Sequence, residues 1–132
     1  MVQINIHIMI ATTIEQSRHL IELGLDPKTA DMCFEMYKGN WTLNVGKKSA
    51  QVNRGLAIPA WSLSALLDVI PSKLEPELHK NPIDETWFMD IWVEYNHMTG
   101  DYKHPVEAAY AIVIWLLEQG LIEKGDNDES KN

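Results

Sequence analysis

Two stretches decide the fold: Thr86-Trp87-Phe88-Met89-Asp90-Ile91-Trp92-Val93-Glu94-Tyr95 and Pro105-Val106-Glu107-Ala108-Ala109-Tyr110-Ala111-Ile112-Val113-Ile114-Trp115-Leu116-Leu117-Glu118-Gln119-Gly120. The first alternates with period two, which puts successive side chains on opposite faces of a strand. Trp87, Met89, Ile91, Val93 and Tyr95 make the core face, and Phe88, Asp90, Trp92 and Glu94 make a second face that is half aromatic and half acidic. The second stretch reads as a helix opened by Pro105 and closed by Gly120. Val106, Ala109, Tyr110, Val113, Leu116 and Leu117 form one broad apolar stripe, and Ala108, Ile112 and Trp115 make its flank apolar too. A helix apolar nearly all round is expected between layers or at a subunit interface.

Working outward, residues 77–80 are expected to pair with the 86–95 strand across a turn at Asn81-Pro82-Ile83-Asp84. Cys33 to Tyr37 and Trp41 to Val45 read as a hairpin closed by Lys38-Gly39-Asn40. Ser62 is the expected N-cap of a helix over residues 63–70, stopped by Pro71. A helix from Thr12 to Leu23 is capped by Thr12 with Glu15 or by Thr13 with Gln16, and Gly24 ends it. Asp26-Pro27 starts a short helix expected to end near Met32. Val2 to Ile10 alternate in period two, which fits a strand or an extension upstream of Met9. Residues 46–56 and 96–104 read as irregular connections. Strands arrive in adjacent pairs rather than singly between helices. The expectation is one α+β domain over residues 1–122, an antiparallel sheet of four or five strands packed by helices, with a long buried C-terminal helix. Residues 123–132 are expected to form a disordered acidic tail.

A chain of 132 residues with 45% hydrophobic and 23% charged residues matches an ordinary globular domain. Its single Cys33 cannot form an internal disulfide and points to a reducing compartment. The opening residues lack a basic n-region and a contiguous apolar run, so a cytoplasmic protein without a membrane span is expected. The net charge of −8 argues against phosphate backbones as partners. That charge is unevenly spread. Residues 36–67 contain Lys38, Lys47, Lys48 and Arg54 and no acid, a block of +4, which leaves −12 for the rest of the chain.

Ile58-Pro59-Ala60-Trp61-Ser62-Leu63-Ser64-Ala65-Leu66-Leu67-Asp68-Val69-Ile70-Pro71 resembles a segment of small uncharacterised proteins encoded in phages and mobile elements of Bacteroides-type gut bacteria. Pro105 to Ala109, Trp115 to Gly120 and the stretch from Glu15 to Leu25 are similar to the same group. The resemblance implies a phage or mobile-element origin and brings no activity and no site residue with it.

No P-loop, dinucleotide glycine pattern, His-Glu-x-x-His or Cys-x-x-Cys occurs, so no cofactor is expected. Cys33 sits between Met32 and Phe34 with acids beyond, the setting of a buried structural cysteine rather than a nucleophile. Asp90 and Glu94 lie four strand residues apart, roughly 13 Å, too far for a carboxylate dyad. The acid-free block is the leading site: Lys38, Lys47, Lys48 and Arg54 interleave with Tyr37, Trp41 and Trp61. Cations and aromatic faces in this mixture suit an acidic protein surface, a second copy of this acidic chain or, more weakly, single-stranded nucleic acid. The resulting expectation is a non-catalytic binding module. The alternative is a small metal-dependent hydrolase using His97, Asp101 and His104, whose side chains are common zinc ligands.

Overall fold

The computed structural model describes residues 9–46 and 56–125. Helix α1 (Ile14–Glu22) precedes a 3₁₀ turn at Pro27–Thr29 and the hairpin of β1 (Met32–Tyr37) and β2 (Asn40–Val45). Strand β3 (Ala57–Ala60) leads into α2 (Leu63–Val69). Strands β4 (Glu77–Lys80), β5 (Trp87–Trp92) and β6 (Asn96–Met98) follow, and α3 (Pro105–Glu118) ends the regular structure.

The fold is α+β, and its strands are divided between two sheets. Among the described residues there are six strands in two three-stranded antiparallel sheets, ordered β2-β1-β3 and β4-β5-β6, where a single sheet of four or five strands was expected. Two strands account for the difference. Pro59 hides β3 by interrupting the strand signal, yet it sits opposite Cys33 on an edge strand that tolerates a missing N–H. The expected long strand turns back at Glu94, whose φ of +73° reverses the chain and lets β6 pair with β5. The expected strand at Val2 to Ile10 lies outside the described residues except for Met9 and Ile10, which belong to no strand.

Local chemistry explains the helix boundaries. Thr13 and Gln16 form the reciprocal capping box of α1, with Thr13 N–H donating to Gln16 Oε1 at 2.9 Å and Gln16 N–H donating to Thr13 Oγ1 at 3.1 Å. At the other end Gly24 takes φ +99°, Gly24 N–H donates to Ile21 O, and Leu25 N–H donates to Leu20 O, both at 2.9 Å. This is a Schellman ending, and the paired Leu20 and Leu25 are both buried. Helix α3 ends in the same way: Gly120 at φ +72° donates to Leu117 O, and Leu121 donates to Leu116 O. Beyond it, Gly125 N–H donates to Gly24 O at 2.6 Å, and a Cβ on Gly125 would stand 2.9 Å from Asp26 Cα. Lys124 and Gly125 therefore lie against the α1 exit loop, and residues 126–132 of the expected tail lie outside the described residues.

The main core gathers on α3. Val106, Ala109, Ile112, Val113, Leu116 and Leu117 meet Leu20 and Leu25 from the α1 region, Leu66 from α2, and Met89 and Ile91 from β5. The alternation read from residues 86–95 sets the packing of the second sheet: Met89 and Ile91 are fully buried against α3, whereas Trp92 on the other face is half exposed. A smaller cluster of Ala11, Met32 and Ala60 lies in the first sheet, with Phe34 and Leu43 against it.

Candidate functional site

The hairpin β1–β2 runs from the core into solvent. Its register pairs Met32 with Val45 at the base and Met36 with Trp41 near the tip. Met32 and Cys33 are buried, so Cys33 is the structural thiol expected from its neighbours. Toward the tip, Met36 is 51% exposed, Tyr37 64% and Trp41 37%. Lys38 occupies the turn at φ +49° and holds its Nζ 5.4 Å from the Tyr37 ring centroid. The outcome is an arm whose end presents a cation, two aromatic rings and a thioether.

Lys38 and Trp41 thus both lie near the tip of the hairpin. Lys47, Lys48 and Arg54 lie outside the described residues. Trp61 is a correction: it is fully buried, its indole Nε1–H donates to Thr29 Oγ1 at 2.8 Å, and its backbone is tied to Thr12. An indole with its one polar atom satisfied inside the core is a packing residue, not a contact residue. Asp31 secures the same corner by accepting from Ser62 N–H and the Ser62 hydroxyl.

His97, Asp101 and His104 are not brought together. Each has another placement. The His97 ring stacks on Trp115 of α3 with centroids 3.7 Å apart and planes 17° apart. His104 is the N-cap of α3, where its backbone N–H donates to Glu107 Oε1 at 3.1 Å. Asp101 is exposed in the intervening turn. Among the described residues, the group of three metal-ligand side chains with atoms within 4.8 Å of one another is Glu77, His79 and Asp90.

A groove of about 390 Å³ runs along the outer face of α3, between that helix, α1 and Tyr102. Glu107, Tyr110, Ile114, Trp115 and Glu118 of α3 line it, and His19 contributes from α1. Burial raises the Tyr110 phenol above its ordinary value. The expectation that α3 is buried all round therefore holds for one face, while the other forms an acidic, aromatic trough large enough for one or two side chains. In the sequence Tyr110 reads as part of the apolar stripe and Trp115 as part of its flank, but the groove they line with Ile114 depends on where α1 packs. No family model, curated protein or solved structure matches this chain.

Proposed function

We propose that this chain is a non-catalytic binding module of phage or mobile-element origin that engages an acidic protein surface through the β1–β2 arm. The observation that carries the reading is the exposure of Met36, Tyr37 and Trp41 beside Lys38 at the arm's end. Aromatic side chains that can be desolvated next to a cation are common anchors of protein interfaces. The arm's end also belongs to the +4 block, and the remaining residues sum to −12, so a second copy of this chain is the nearest acidic partner. The α3 groove supports that choice, because Glu107 and Glu118 line it together with Tyr110 and Trp115, a lining that complements Lys38 and Trp41.

Sedimentation of the full chain over a range of concentrations and salt tests the reading. Association should weaken as salt rises, and Lys38→Glu with Trp41→Ala should abolish it while the chain stays folded. Glu118→Lys, in the lining of the groove, should weaken it as well. A monomer throughout at low salt, or association indifferent to the arm variant, would refute self-recognition. Tight salt-dependent binding of a single-stranded oligonucleotide by the parent chain, lost in the same variant, would replace the protein partner with nucleic acid.

A further inference from the structure

On the solvent face of the second sheet, Glu77 and His79 stand two residues apart on β4 and so point the same way. The register sets Glu77 opposite Asp90 and His79 opposite Phe88, which gathers the two carboxylates and the imidazole on one face. His79 Nε2 lies 3.0 Å from Asp90 Oδ2 and 3.3 Å from Glu77 Oε1. The ring stacks on Phe88 with centroids 4.8 Å apart and planes 17° apart, which holds its edge toward the acids.

Two carboxylates thus converge on one ring nitrogen, which carries at most one proton to share between them. Asp90 is the more enclosed, its side chain 17% exposed. Among the described residues, no Lys or Arg side chain lies within salt-bridge distance of either acid. Ligands placed about 2.0–2.1 Å from a tetrahedral zinc ion stand about 3.3 Å from one another. The two separations around Nε2 fall close to that edge length, and the ligand atoms of all three side chains lie within 4.8 Å of one another.

We infer that Glu77, His79 and Asp90 form a three-ligand site for a divalent transition metal such as zinc. One imidazole nitrogen and two carboxylate oxygens favour such an ion over magnesium or calcium, which prefer an all-oxygen shell. The open side of the sheet leaves the remaining coordination position to water. The site is independent of the arm and of the hydrolase reading built on His97, Asp101 and His104.

Calorimetric titration of the full chain with zinc chloride tests the inference, with the Co²⁺ visible spectrum reporting the ligand set. One equivalent should bind, and His79→Ala and Asp90→Asn should each weaken binding by about 10- to 100-fold or more. Glu77→Gln, at an exposed position, should weaken binding too while the chain stays folded. His97→Ala and His104→Ala should bind as the parent does. Absence of binding at millimolar zinc, full affinity in the folded His79 or Asp90 variant, or loss of binding only with His97 or His104 changed would overturn the assignment.

Discussion

Replacing Trp61 separates a packing role from a contact role. The indole is fully buried, and its only polar atom is bonded to Thr29 Oγ1. Trp61→Ala removes the largest side chain among the fully buried residues and leaves a cavity that its neighbours close only in part. Truncations of this kind cost about 3–5 kcal/mol, against a total of about 5–15 kcal/mol for a domain. For a chain of this length that corresponds to a fall in unfolding temperature of roughly 10–20 °C. Trp61→Phe keeps most of the apolar volume and loses one hydrogen bond, for a cost of about 1–2 kcal/mol. The second cost is contained because Thr29 is exposed and its hydroxyl still donates to Asp26 O. Trp41→Ala at the arm's exposed end should cost less than about 1 kcal/mol. Urea unfolding followed by far-UV circular dichroism gives all three values in one series. If Trp61→Ala unfolds within about 1 kcal/mol of the parent, the core placement is refuted.

Two further outcomes follow from backbone and burial. Gly120→Ala should destabilise by about 1–2 kcal/mol in chemical denaturation, because its left-handed φ is the only cost; the added Cβ meets nothing within 4 Å, and Gly120→Asn should recover part of the loss. The Tyr110 phenol is raised by burial, so unfolding releases its proton more readily than the folded chain does. Its contribution is whole below the ordinary tyrosine value and falls as pH rises through the raised folded value. Tyr110→Phe should flatten that alkaline loss in a pH series of urea midpoints.

Elements whose signals are local were legible in the sequence. The 33–45 hairpin, the Ser62 cap, the Thr13–Gln16 box and the α3 boundaries all rest on turn or cap chemistry within a few residues. The strands missed are the ones whose evidence is tertiary: β3 carries a proline, and β6 is three residues of Asn, His and Met with no alternation to read. The same limit governs the sites. Lys38 and Trp41 lie close in sequence across a tight turn, whereas Trp61, twenty residues beyond Trp41 in the chain, was grouped by composition and turns inward. His97 faces α3 because β6 reverses at Glu94, which no spacing rule anticipates. Glu77 and His79 meet Asp90 only through cross-strand register, so that cluster left no linear signature.

The gradient of burial along β1 separates two kinds of substitution within one hairpin. Changes at Met32 or Cys33 act on residues that the body of the protein encloses, and they affect folding first. Changes at Met36, Tyr37, Lys38 or Trp41 meet water, so they add to core substitutions with little coupling. If the arm's end carries the proposed contact, its partner preference can therefore change while the scaffold beneath it stays constant.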